Sequence, residues 1–266
     1  MYITNRPDIA EIVENSGVDM IFVDMEYIGK NLRQGGMDTV QSHHTLNDVK
    51  RIADSVSKAK VLVRVNPIHP NSEAEVRGAI ANGADVVMLP YFKTLQEVKD
   101  FLHFVDGKAQ TMLLLETPES ADIINDILKL NGIDSVHIGL NDLSLGYKLK
   151  FMFEVLANGK TEELALKCRQ AKVPFGFGGI AALGKGAVPA EMIIREHYRL
   201  GSQYAILARS FCNTEKITDL NEVKEIFTRG MQEIRSLEQD CQIRMDYFWK
   251  NRSAFELAVK EFVENH

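Results

Sequence analysis

Short apolar runs recur along almost the whole chain, and several stop abruptly at a charged residue. Residues 20–23 stop at Asp24, 61–63 at Arg64 and 112–115 at Glu116, while 136–138 leads through Gly139 to Asp142. Runs of β-branched and aromatic residues alternating with helical patterns read as parallel strands joined by crossover helices. Strands are expected at residues 2–4, 18–23, 60–65, 84–89, 111–115, 133–138, 173–177 and 203–207. A first helix is marked by Pro7 with Ile9, Ile12 and Val13, and Gly17 closes it. Further helices are expected over 46–57, around Val76, Ala79 and Ile80, and along Leu95, Val98, Phe101, Leu102 and Val105. Others follow from Pro118 through Ile123, Ile124, Ile127 and Leu128, over 154–171, and over 189–200. Eight strand–helix units predict an α/β fold of the (β/α)8 TIM-barrel type, whose strand tips converge on one mouth. An open doubly wound sheet is the alternative, but no Gly-x-Gly-x-x-Gly follows an early strand.

Residues 219–266 read as helical throughout, beyond what eight units need. Val223, Ile226, Phe227 and Ile234 form one stripe; Phe255, Ala258, Val259, Phe262 and Val263 form another. The second stripe either packs against another subunit, making the chain a homo-oligomer, or folds back onto its own barrel. A length of 266 residues suits one barrel domain carrying this extension. The formal net charge of −6 argues against a nucleic-acid partner, which needs a basic face. No apolar run is long enough for a membrane span and no secretory signal opens the chain, so the expected location is cytoplasmic. Cys168, Cys212 and Cys241 lack the spacing of a zinc site or a disulfide framework.

The chemistry lies at the strand tips. A carboxylate directly after a buried run must find a cation or hydrogen-bond donors. Glu116 and Asp142 are expected to supply two oxygen ligands to Mg²⁺ or Mn²⁺, with Co²⁺ also compatible, and water and substrate completing the shell. The alternative is that Glu116 pairs with a basic neighbour while Asp142 caps the turn after the sixth strand. Arg64 is the natural clamp for a carboxylate, because its planar fork binds two oxygens at once. It could equally bridge to Glu116 or Asp24. Either Asp24 or Glu26 could orient Arg64. The polar stretch 26–45 overhangs the expected mouth and carries His43 and His44, either of which could accept a proton near neutral pH. The glycines at 176, 178 and 179 would let backbone approach an anion, or simply make a turn. His137, inside the sixth strand, is expected to be buried.

In order and spacing, residues 18–26, 63–67, 83–90, 114–117 and 139–144 resemble the HpcH/HpaI aldolase and citrate lyase family, over roughly residues 9–211. Gly-Ala-Asp-Val-Val-Met-Leu-Pro and Gly-Leu-Asn-Asp-Leu-Ser are the more specific pieces. The resemblance implies metal-dependent class II pyruvate aldolase chemistry, with Glu116 and Asp142 on the metal. Arg64 would meet the pyruvyl oxygens and Asp24 would support the acid/base network; apart from the resemblance, Thr117 after the fifth strand and Gly178 in the glycine cluster are expected to contact substrate. Two positions depart from the family pattern: Tyr27 stands where a histidine is usual, and Leu114 where a glutamine is common. One of His43 and His44 is therefore expected to replace the missing base. The expected reaction cleaves or forms a 4-hydroxy-2-oxo acid, with a 2-oxo acid such as pyruvate on one side and an aldehyde on the other. Lys30 and Lys93 fall in loops, so no Schiff-base lysine stands at a strand tip. The alternatives are a citryl- or malyl-CoA-type lyase, with Lys148, Lys150 and Lys185 near the mouth, and a barrel that has lost turnover.

Overall fold

Eight parallel strands close into a barrel in chain order, each hydrogen-bonded to the next and β8 returning to β1. The structure is a computed structural model and describes residues 1–29, 42–243 and 247–266. The strands are β1 (Tyr2–Ile3), β2 (Met20–Asp24), β3 (Lys60–Arg64), β4 (Val86–Leu89), β5 (Gln110–Leu115), β6 (Ser135–Ile138), β7 (Phe175–Ile180) and β8 (Tyr204–Leu207). Because strands of a parallel barrel are covered on both faces, they read as nearly continuous apolar runs. Alternate residues sort into two cores. Phe22, Leu62, Val86, Met88, Met112 and Leu114 fill the barrel interior. Ile21, Val23, Val61, Val63, Leu113, Leu115, Val136 and Ile138 meet the surrounding helices.

The helices are α1 (Pro7–Asn15), α2 (Leu46–Ser55), α3 (Ser72–Ala81), α4 (Leu95–Val105), α5 (Pro118–Asp122), α6 (Ile124–Ile127), α7 (Leu140–Gly146), α8 (Glu154–Ala157), α9 (Lys160–Gln170), α10 (Ala190–Leu200), α11 (Leu220–Ile243) and α12 (Phe248–Asn265). Thr45 and Thr94 close capping boxes with Asp48 and Glu97, which fixes where α2 and α4 begin. The expected helix from Pro118 is broken at Ile123, and the one over 154–171 is broken at Asn158 and Gly159. Strand β7 runs past the expected end at 177, because the glycine cluster forms an irregularity within the ladder rather than a loop. Gly178 sits at φ +52, the left-handed conformation of a bulge residue. Parts of the expected polar stretch 26–45 and of the continuous helix over 219–266 lie outside the described residues.

The C-terminal stripe folds back onto its own barrel. Phe255 and Val259 are buried, and Phe262 stacks on Phe151 with ring centroids 4.0 Å apart. Beneath α12 lies a charged network centred on Glu196 of α10, which is fully buried. Its carboxylate accepts hydrogen bonds from Arg199 Nε at 2.9 Å and Asn251 Nδ2 at 3.1 Å, and Arg252 lies 3.5 Å away. Arg252 also donates to the carbonyls of Leu156 and Ala157, covering the open end of α8. Of the two arrangements expected for this stripe, the one observed is the fold-back onto its own barrel. Among the described residues no helix is long and apolar enough to cross a membrane.

Candidate active site

Parallel register brings the polar strand tips to one end. Asp24 and Arg64, the last residues of β2 and β3, are direct register partners. Arg64 holds Asp24 bidentately, Nε to Oδ1 and Nη2 to Oδ2, both at 2.8 Å. Glu26 Oε2 lies 3.3 Å from the same Nε, and the guanidinium sits 5.4 Å from the Phe22 ring centroid. Burial works against the Arg64 charge, but Asp24 and Glu26, with Glu116 farther off, more than offset it and raise its pKa. The pairing of Arg64 with Asp24 is thus a buried structural contact at the strand tips. Two of its five N–H groups are on Asp24. Its side chain nevertheless lines the cavity at the mouth.

Glu116 follows β5 and is 4% exposed. Its Oε1 accepts the backbone N–H of Tyr91 at 3.0 Å, which aims the carboxylate across the strand tips. A Cβ at position 139 would lie 2.8 Å from both Cβ and Oε2 of Glu116, so Gly139 is the residue that leaves this carboxylate its place. Asp142 lies in the first turn of α7, a helix the sequence pattern did not announce. Glu116 and Asp142 open into one cavity of about 570 Å³, together with Arg64, Gly139, Gly178 and Arg209. Around the mouth the carboxyl groups of Asp24, Glu26, Glu116 and Asp142 outnumber the guanidinium groups of Arg64 and Arg209. Among the described residues no cluster of three or more His, Cys, Asp or Glu side chains is arranged for a metal. Glu116 and Asp142 present hard carboxylate oxygens to the one cavity. That fits a small divalent cation, which keeps several waters and takes one or two carboxylates.

The histidine pair divides. His43 is exposed, whereas His44 Nδ1 accepts the backbone N–H of Asp24 at 3.0 Å. Tyr27 is 64% exposed and gives its backbone N–H to Asn66. Thr117 has a local occupation: its hydroxyl donates to the Phe92 carbonyl and accepts Ser120 N–H as the cap of α5. Gly178 lines the cavity, and its carbonyl meets His137 Nε2 at 3.2 Å. His137 and Arg209 are cavity residues that the pattern reading passed over. His137 looked like an ordinary buried strand residue, and Arg209 follows the last strand with nothing distinctive around it.

His137, and His197 beneath the ring of Phe177, are pushed down to about 3 by burial. The unfolded chain binds protons at these groups near 6.5, so the stability is present above that pH and is lost as pH falls towards 3. Each histidine should remove about 2 kcal/mol of stability at pH 5 relative to pH 7. Urea midpoints across this interval should fall accordingly, and less steeply in His197→Phe. A flat profile would refute the neutral burial of both rings.

A model of the HpcH/HpaI aldolase/citrate lyase family matches residues 2–175. An HpcH/HpaI aldolase/citrate lyase family protein from Burkholderia cenocepacia J2315 has a similar structure, with TM-score 0.63, 16% identity, and coverage of 84% of this chain and 94% of that one. The HpcH/HpaI aldolase of Desulfitobacterium hafniense DCB-2 gives TM-score 0.62 at 16% identity, covering 84% of this chain and 92% of its own. The citrate lyase beta subunit of M. tuberculosis, complexed with oxaloacetate and magnesium, gives 0.59 at 14% identity, covering 85% and 95%. No curated protein matches the chain.

Proposed function

We propose that this chain, which belongs to the HpcH/HpaI aldolase/citrate lyase family, is a divalent-cation-dependent lyase that cleaves or forms a 4-hydroxy-2-oxo acid. Pyruvate or a related 2-oxo acid would be one partner and an aldehyde the other. The observation that carries this reading is the opening of Glu116 and Asp142 into the cavity that Arg64 also lines. The magnesium and oxaloacetate of the citrate lyase beta subunit are consistent with it. Glu116 and Asp142 would hold Mg²⁺, Mn²⁺ or Co²⁺, and the ion would supply Lewis acidity for the negative charge of an enolate.

The chain's own residues do the rest. Asp24 fixes the plane of Arg64, so that the remaining edge of the guanidinium can meet the substrate carboxylate bidentately. Tyr91 N–H and the absent side chain at Gly139 hold Glu116 in place. Because His44 Nδ1 accepts a backbone N–H, the neutral ring carries its proton on Nε2. Through that bond His44 ties the segment before α2 to the strand tip that holds Arg64. It takes up a proton at Nδ1 only if its bond to Asp24 breaks. His44→Ala should lower turnover about a hundredfold, with His43→Ala unchanged; equal effects on steady-state kinetics would refute the division between them. A CoA ester is less well served, since Lys148, Lys150 and Lys185 are absent from the cavity lining.

A pyruvate-release screen across 4-hydroxy-2-oxo acids, with and without chelator, tests the reading. Release that the chelator abolishes is the expected result. No release from any of them would contradict it and return the barrel to a CoA-ester or non-catalytic role.

A further inference from the structure

We propose that His137 is a further substrate contact, its Nδ1 accepting a hydrogen bond from the substrate's 4-hydroxyl. The inference rests on the lyase reading above and adds to it a direction for the substrate's chain: down the barrel axis, beneath the carboxylates.

His137 faces into the barrel in β6, two residues before Gly139 and therefore one inward layer below the mouth. Its register partner in β5 is Leu114, which stands in the same relation to Glu116. The side chain is 1% exposed yet lines the cavity. Its Nε2 faces the carbonyl of Gly178 at 3.2 Å. A carbonyl only accepts, so Nε2 carries the proton and Nδ1 is left as a bare acceptor. That Nδ1 is buried and has no hydrogen-bond partner. Buried polar atoms without partners are rare in folded proteins, and one on a residue that lines a cavity points to a donor supplied by what the cavity binds.

The surroundings narrow the donor. Leu114, beside His137 in the sheet, is apolar, and Phe22, Met88 and Ile206 line the same cavity. Where the family commonly has a glutamine, Leu114 offers no polar atom. A metal ion would need further ligands, and among the described residues no cluster of three or more His, Cys, Asp or Glu side chains is arranged for one, while an ionised carboxylate has no hydrogen to give Nδ1. A neutral hydroxyl on a short carbon chain satisfies both the acceptor and the apolar wall. In a 4-hydroxy-2-oxo acid held at its 2-oxo acid end by the mouth, the 4-hydroxyl is the donor within reach of the next layer. His137, kept neutral by burial, orients that hydroxyl rather than removing its proton.

The test uses a pair of acids without the ketone that retro-aldol cleavage needs, 2,4-dihydroxypentanoate and 2-hydroxypentanoate, titrated calorimetrically into the full chain with Mg²⁺. The wild type should bind the dihydroxy acid about tenfold more tightly, the value of one added neutral hydrogen bond. His137→Phe should bind both acids alike, with 2-hydroxypentanoate unchanged, which also reports that the variant is folded. His137→Asn, whose Oδ1 can stand near the place of Nδ1, should recover part of the preference. A preference that survives in His137→Phe overturns the inference. So does a wild type that releases pyruvate but shows no preference, whether or not either acid binds measurably. A wild type that binds neither acid and releases no pyruvate overturns the lyase reading and this inference together.

Discussion

Turnover in a Glu116→Gln variant is expected to fall about a thousandfold, the scale set by losing a principal charge-stabilising group at a reacting centre. Glutamine keeps the shape and can still accept the Tyr91 N–H, so the fold should survive while the negative charge is removed. The same loss should be reachable without touching the carboxylate. In Gly139→Ala the new methyl group would lie 2.8 Å from both Cβ and Oε2 of Glu116. A Cβ–Cβ clash of that kind cannot be relieved by rotating the side chain, so the carboxylate must move. Turnover should drop about a hundredfold, because a displacement of about 1 Å at a reacting group has that effect. Steady-state kinetics on both variants check the pair. Full activity in Gly139→Ala would show that the observed position of Glu116 is not the working one.

The largest effect on stability is expected at Glu196. Glu196→Ala strips Arg199, Asn251 and Arg252 of a shared buried partner. Removing one member of a buried ionic cluster typically destabilises by about 3–5 kcal/mol, since the remaining charge stays desolvated. Arg199 retains a bidentate pair with Glu162, at 2.8 Å through each nitrogen, so the loss should fall mainly on the docking of α12. Urea unfolding of the variant should therefore show either a large fall in midpoint or a first transition belonging to α12. A change below about 1 kcal/mol would mean that the apolar contacts of Phe255, Val259 and Phe262 hold the helix alone.

The barrel was legible because its strands are buried on both faces and end in polar residues, so each strand announced itself by an apolar run and a charged stop. Asp24, Arg64 and Glu116 were legible for the same reason. Other features depended on tertiary context. The glycines of β7 resemble a loop in sequence, and only pairing with β8 makes them an irregular strand. Helix α7 is too short and too mixed to show periodicity. The separation of His43 from His44 rests on one backbone hydrogen bond from Asp24 that no spacing rule encodes. Thr117 looked like a residue beside a reacting centre but has its hydroxyl engaged at a helix start. His137 was passed over because an inward histidine in a strand is indistinguishable from any other core position until the cavity beside it is seen. Glu196 sits on an amphipathic helix face, and the helix that buries it lies more than fifty residues away in sequence.

Binding of Mn²⁺, followed by electron paramagnetic resonance, probes the shared cation site most directly. The account predicts one ion per wild-type chain, with affinity lost in Glu116→Gln and in Asp142→Asn alike. Binding unchanged in both variants, or no binding by the wild type, would contradict a cation held jointly by these two carboxylates.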